Sequence, residues 1–275
     1  MIDLEFYKKE GYLHLPGFAP GSEVQEILTH ARQIFQLQFL QKGYTKVAQA
    51  TDEQETVFNE NLYRLFAEDL ATLMNCGKQV QHLISLHRFS LHERITHLLA
   101  EIGLRFPVIS TRPVMFFNHP RLAQKKVFYK VDAHQDWRSM QGSLNSVVIW
   151  FPLVDIDKDL GALEIVPGSH LSGLMTEKIE QGFGMVHVDD EMQKKMIQVE
   201  VKQGDALLFS SFLVHQSGEN ITERPRWSCH FRYNDLEEET FIQRNYPHPY
   251  LYKPMEELIT PGFPTLTHLE SLFLK

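Results

Sequence analysis

The sequence predicts a mainly β protein, a jelly roll of packed antiparallel strands with flanking helices and a helical layer in its N-terminal part. Three observations carry that expectation. Up to Gly103 apolar residues recur three and four apart; from about Pro107 the texture turns to short β-rich runs broken by Gly, Pro, Asn and Asp; and those runs follow one another without intervening helices. Many short strands in series suit a sandwich or barrel. At 275 residues the chain can bury a substantial core. It reads as one domain, with residues 1–106 a mainly helical layer, 107–235 the strand core and 236–275 a C-terminal extension.

The opening MIDLEFYKKEGYLHLPGF carries charges early and no apolar run of signal-peptide length, which points to folded structure and a cytoplasmic protein. In SEVQEILTHARQIFQLQ, Val24, Ile27, Leu28, Ala31, Ile34 and Phe35 fall on one stripe, and Ser22 with Gln25 has capping-box spacing, so a helix is expected to begin at Ser22. LYRLFAEDLATLM and RITHLLAEIGL repeat the periodicity, with Gly77 and Gly103 placed to end helices. Strands are expected in VISTRPVMFFN, VFYKVDAHQDW, SVVIWFPLVDI, ALEIVPGSH, IQVEVKQGDALLFSSFLVHQSG and RWSCHFRYND. Residues 171–196 interrupt them with polar, Gly-containing, Met-rich text, and are expected to cross the barrel mouth as a lid. Gly182 and Gly184 around Phe183 would permit hinge motion, while Met175, Met185, Met192 and Met196 would offer adaptable apolar contacts.

A net charge of -8 argues against a general nucleic-acid or anionic-membrane surface. The longest apolar run, VVIWFPLV, is far shorter than the ~20 residues of a membrane helix, so no span is expected. Cys76 and Cys229 are too few for a disulfide framework, and no Cys-x-x-Cys occurs, which fits a reducing compartment. No obligate protein partner is evident.

Chemistry concentrates after the helical part. In VDAHQDWRS, His134 and Asp136 lie two apart and share a face if the segment is extended. His30, His82, His87, His92 and His97 lie in helical text and are expected to be ordinary surface or packed residues, and His170 follows a Pro-Gly turn that it would tie down. His215 differs, because it ends the apolar strand DALLFSSFLVH just before a turn. With His134 and Asp136 it gives two imidazoles and one carboxylate, the facial set that suits non-haem Fe(II), with zinc as the competitor. Arg226 follows His215 by eleven positions and shares a face with Ser228, so it could return beside the site and pair bidentately with a carboxylate, helped by Ser228 or Ser217. Arg224 and Arg232 are alternatives, and parity puts Arg232 on the face of Arg226. Lys125, Lys126, Lys130 and Arg138 flank the metal motif and could meet an anionic substrate or simply form a solvated face.

These motifs, in this order, resemble the phytanoyl-CoA dioxygenase family of Fe(II)- and 2-oxoglutarate-dependent oxygenases. FYKKEGYLHLPGF resembles the family's opening, AHQDW its His-x-Asp motif, GALEIVPGSH its central turn and GDALLFSSFLVHQSGENITERPR its distal His and Arg. The resemblance implies a double-stranded β-helix of cupin type, with iron ligands His134, Asp136 and His215 and Arg226 as partner of the 2-oxoglutarate carboxylate. It implies further cosubstrate contacts from Ser217 and Trp150, and from Met115 and Asn118 on a neighbouring strand, where Trp150 and Met115 could equally be core residues. Dioxygen would be the oxidant, and a small-molecule or acyl substrate would be hydroxylated at an unactivated C–H bond with release of succinate and CO2. Because Asp136 is present, oxygen insertion is expected and not the halogenation found in members lacking that carboxylate. The other readings are a cupin-like metal-dependent isomerase or hydrolase and a catalytically inactive jelly-roll binding module.

Overall fold

The computed structural model describes residues 2–44, 52–122, 130–175, 178–180 and 183–247. Its centre is a fully antiparallel five-stranded sheet formed by β1 (Tyr12–Leu15), β2 (Pro107–Asn118), β3 (Val147–Pro152), β8 (Ala206–Ser210) and β10 (Arg226–Asp235), in the order β1-β8-β3-β10-β2. A smaller sheet faces it, formed by β4 (Leu163–Ile165), β7 (Ile197–Val199) and β9 (His215–Gln216) in the order β7-β4-β9. Two further strands, β5 (Lys178–Glu180) and β6 (Phe183–Met185), pair as a hairpin.

Both faces of the large sheet are covered, and strict alternation decides which residue faces which side. Trp227, Cys229, Phe231 and Tyr233 of β10, with Val147, Ile149 and Phe151 of β3, join the core shared with the helices. Val148 and Trp150 of β3 point the other way, into a second core with Leu163, Ile165, Leu207 and Phe209. This two-sided burial explains why VVIWFP reads as continuously apolar and not as an alternating strand.

The helical layer consists of α1 (Leu4–Glu10), α2 (Gly21–Gln41), α3 (Asp52–Glu68), α4 (Leu70–Gln79), α5 (Ile84–Ser90) and α6 (Glu93–Glu101). On α2 the stripe Val24, Ile27, Leu28, Ala31 and Phe35 is buried, while Ile34 is half-buried. Its start differs from the expectation. The helix begins at Gly21 behind Pro20, whose φ of -56 already suits a helix entry, and no side chain caps it. Gly103 does end α6 with a φ of 97, whereas Gly77 lies inside α4. Phe35 holds the layer to the sheet through edge-on contacts with Phe117 and Trp227 at centroid separations of 5.4 and 6.0 Å.

After the metal motif comes the short α7 (Trp137–Met140), and α8 (Asp190–Lys195) and α9 (Glu239–Gln243) follow later in the chain. Most of VFYK, expected as a strand, lies outside the described residues, as does 248–275 of the C-terminal extension. In the 171–196 segment, Met175, Val188, Met192 and Met196 pack against the cluster of Ala133, Val166, Val186 and Val214. Gly182 lies outside the described residues. No helix among the described residues is long and apolar enough to cross a membrane.

Candidate active site

His134 lies alongside β9 of the smaller sheet and pairs with His215 in a two-hydrogen-bond antiparallel bridge, His134 N–H to His215 O at 3.0 Å and the reverse at 3.1 Å. Asp136 reaches them differently from the expectation. It is not extended: its φ of -63 and ψ of -30 are helical, and it stands at the N-cap of α7. The turn into that helix, not the strand pleat, therefore brings the carboxylate back to the imidazole. His134 Nε2 lies 3.9 Å from Asp136 Oδ1, and His215 Nε2 lies 3.7 Å from Asp136 Oδ2. One ligand atom from each of the three residues falls within 4.8 Å of the other two.

The protonation pattern suits a cation. His134 Nδ1 faces the Asp132 carbonyl at 2.7 Å and His215 Nδ1 faces the Leu213 carbonyl at 2.9 Å. A carbonyl only accepts, so each Nδ1 donates a proton to it and Nε2 is the nitrogen each ring has left for a metal. Burial, with His134 beside it, lowers the pKa of His215 to about 4 and keeps it neutral. For Asp136 burial pushes upward, but the Arg232 guanidinium beside it overrides this and holds the carboxyl well below the usual range. Arg232 donates from Nε and Nη2 to the same oxygen, Oδ1, at 3.2 and 2.7 Å. That fork leaves Oδ2 facing His215. An anionic oxygen and two imidazole nitrogens brought together in this way are a donor set for a divalent ion of the iron or zinc type.

The triad opens into a cavity of about 420 Å³ whose lining mixes apolar side chains such as Val148, Trp150, Leu163 and Phe209 with polar and charged ones. Arg226, Ser228, His230 and Arg232, alternate residues of β10, all face it, and Trp150 and Val148 continue the wall on β3. Arg226 is 1% exposed, and its Nη2 donates to Ser217 Oγ at 3.1 Å while Nη1 donates to the Gly161 carbonyl. That carbonyl comes within reach because Gly161 and Gly218 cross closely, where a Cβ on Gly218 would stand 2.2 Å from the Ala162 carbonyl oxygen. Burial lowers the Arg226 pKa only to about 10, so it is charged at neutral pH. Arg226 Nε and Ser228 Oγ are buried without a partner among the described residues. A buried cation with unspent donors is costly unless an anion completes it.

The sequence candidates thus separate. Arg226, Ser217, Ser228 and Trp150 line the cavity with the triad, and Arg232 does so while committed to Asp136. Arg224 is exposed at the turn before β10. Met115, expected beside the cosubstrate, is corrected by the pleat: Val114 and Phe116 face the cavity, and Met115 points into the helix-facing core. Asn118 pairs with Arg226 in register and is buried, with its Oδ1 unpartnered among the described residues, but it stands outside the cavity lining. Lys130 and Arg138 do not line the cavity, and Lys125 and Lys126 lie outside the described residues. His170 ties its turn to the Lys8 carbonyl at 3.0 Å.

Three participants were not read from the sequence. His230 faces the cavity from mid-strand. Burial, then Arg232, holds its pKa far below the usual histidine value, and its Nε2 has no partner among the described residues. Its even spacing from Arg226 was the available signal. Arg112 reaches the cavity because a register irregularity at Pro113, which has no N–H for the ladder, lets both Thr111 and Arg112 face inward. Gln135, between the two ligands, binds the Gly173 and Phe212 carbonyls and the Met175 N–H at 2.8, 2.6 and 2.6 Å.

The family model described as Phytanoyl-CoA dioxygenase (PhyH) matches residues 7–228. The chain belongs to this family of iron- and 2-oxoglutarate-dependent oxygenases. Among its relatives is phytanoyl-CoA dioxygenase 1 of Oryza sativa subsp. japonica, 24% identical, the match covering 91% of this chain and 96% of the relative. Another is the phytanoyl-CoA dioxygenase of Arabidopsis thaliana, 23% identical over 81% and 84% of the two chains. Solved structures share the fold: the epimerase SnoN in complex with Fe3+, alpha ketoglutarate and nogalamycin RO has a TM-score of 0.58 at 19% identity, covering 84% of this chain and 82% of its own. EctD from S. alaskensis with 2-oxoglutarate and 5-hydroxyectoine has a TM-score of 0.52 at 18% identity, covering 86% and 76%. The antiparallel core of this phytanoyl-CoA dioxygenase family member is the double-stranded β-helix that the sequence led one to expect.

Proposed function

We propose that this family member hydroxylates an unactivated C–H bond of a small organic or acyl molecule with Fe(II), 2-oxoglutarate and dioxygen, releasing succinate and CO2. The observation that carries the reading is the pairing of a retained Asp136 carboxylate at the triad with a buried, incompletely satisfied Arg226 in the same cavity. Metal-dependent hydrolases and isomerases need no buried partner for a dicarboxylate, and an inactive binding module needs no convergent triad.

His134, Asp136 and His215 hold the iron, which when bound supplies the oxidising chemistry. Arg226 receives the far carboxylate of 2-oxoglutarate through its planar fork, with Ser217 and Ser228 adding hydroxyls. The Gly161 carbonyl fixes the guanidinium plane, so little side-chain entropy is lost on binding. Trp150, Val148 and Phe209 exclude water from the reacting carbon. Arg232 holds Asp136 Oδ1, which leaves Oδ2 for the metal.

Incubation of the full chain with Fe(II), ascorbate and 2-oxoglutarate tests this. Succinate should form in the wild type and not in Asp136→Ala. With a turned-over substrate, isotopically labelled dioxygen should place one oxygen atom in the product. A product without labelled oxygen would overturn hydroxylation while leaving 2-oxoglutarate dependence standing.

A further inference from the structure

The charges of the cavity do not balance when it is loaded as proposed. A divalent metal and 2-oxoglutarate dianion cancel, and Arg232 is matched by Asp136, the one carboxylate among the lining residues. Two positive charges, those of Arg226 and Arg112, are then left over, and an anionic substrate would offset at least one of them. Arg226 faces the cosubstrate, whereas Arg112 stands at the opposite end of the strand face. There it borders the cavity from an exposed position, with its Nε donating to Gln81 Oε1 at 3.1 Å and no acidic partner against it among the described residues.

The unpaired polar atoms point to the same end. Arg226 Nε, Ser228 Oγ and His230 Nε2 form a row of three unpartnered groups along alternate positions of β10. A carboxylate held by Arg226 accounts for the first two. His230 is a pair further on, opposite Val114 and Trp150 and toward Arg232, so it is left for the substrate. The wall between these groups and the triad is apolar, built from Val114, Val148 and Phe209.

Building on the hydroxylase reading, we propose that the substrate is a free monocarboxylate with an apolar chain, its carboxylate received by Arg112 and Arg232 with a hydrogen bond from His230 Nε2, and its chain laid along Val114, Val148 and Phe209. The position of Arg232 against the ligand carboxylate argues against a coenzyme A thioester. Arg232 Nη2 is 2.7 Å from a ligand carboxylate oxygen, so an anion it holds sits within a few bonds of the reacting carbon. A thioester carries no charge at that point, and its phosphates lie far along the carrier.

The test is calorimetric binding to the full chain loaded with Ni(II) in place of iron and with 2-oxoglutarate, using octanoate, octanamide and octanoyl-coenzyme A. Octanoate should bind at least about tenfold more tightly than octanamide, since hydrogen bonds to charged groups contribute about 1.5–3 kcal/mol and 1.4 kcal/mol is tenfold. Arg112→Gln, an exposed position that leaves the core untouched, should erase most of that preference without changing octanamide binding. His230→Leu should weaken octanoate and spare 2-oxoglutarate. Equal affinity for octanoate and octanamide, no binding of octanoate, or octanoyl-coenzyme A binding as tightly as octanoate and indifferent to Arg112→Gln would overturn the proposal. Binding of 2-oxoglutarate to the Ni(II) protein, titrated first, reports on the hydroxylase reading separately. Its absence would sink that reading, and its presence with a failed octanoate test would sink only the substrate class.

Discussion

Arg226 and Arg232 are chemically alike, lie six residues apart on one strand face and do opposite jobs. Arg226 keeps a buried Nε without a partner among the described residues, while Arg232 commits Nε and Nη2 to Asp136. Arg226→Lys keeps the charge and loses the fork, so the 2-oxoglutarate requirement should rise about 10- to 100-fold with metal affinity little changed, as read by calorimetric titration of each. Arg232→Gln should do the reverse. It frees the ligand carboxylate of its orienting partner, and metal affinity measured without substrate should fall about 10- to 100-fold. The ligands were legible because residue type and spacing suffice to nominate them. The distinction between the two arginines was not, since parity puts both on the same face and only the turn of Asp136 into α7 decides which is taken. Of the two roles open to Met115, strand alternation selects the core one, because its neighbours Val114 and Phe116 hold the cavity face.

At the scale of elements, the 171–196 segment is fastened to the metal motif by Gln135, which sits between two ligands and holds Gly173 and Met175. Val186 also donates to the Ala133 carbonyl at 2.8 Å. Gln135→Ala removes three hydrogen bonds, so limited proteolysis should cut this segment faster than in the wild type. Metal, 2-oxoglutarate and substrate together should protect the wild type if it closes over the centre. Cleavage equal in loaded and unloaded protein would leave it a fixed surface feature. The helices make a different kind of contact with one another. Glu23 of α2 receives both Arg94 nitrogens from α6, and this hydrogen bonding holds its carboxyl below the ordinary value. A depressed carboxylate stabilises above its unfolded pKa and loses that contribution as pH falls through the folded one. Glu23→Gln should therefore cost under about 1 kcal/mol at neutral pH, the pair being partly exposed, and nothing in acid, as measured by urea denaturation. Helix and strand identities were readable from periodicity, but the α2 start was not, because Pro20 replaces the capping box that Ser22 and Gln25 suggested.

Across the whole molecule, β10 divides labour by parity, with even positions facing chemistry and odd positions facing the helices. Phe35 is the helical side of that bond, wedged against Phe117 and Trp227. Phe35→Ala should cost about 3–5 kcal/mol in denaturant while leaving the metal affinity of the folded fraction unchanged. Loss of metal affinity in proportion to stability would mean that the two faces are not independent. The first strand adds a consequence in time. β1 pairs with β8, and His14 meets Asp205 across 191 residues at 3.0 Å. On a ribosome adding about 5–20 residues per second, β1 waits roughly 10–40 seconds for its partner. During that interval the helices have emerged with the apolar faces that the sheet will cover. The nascent chain therefore exposes those faces until β8 arrives, and its metal triad cannot assemble before His215 has emerged.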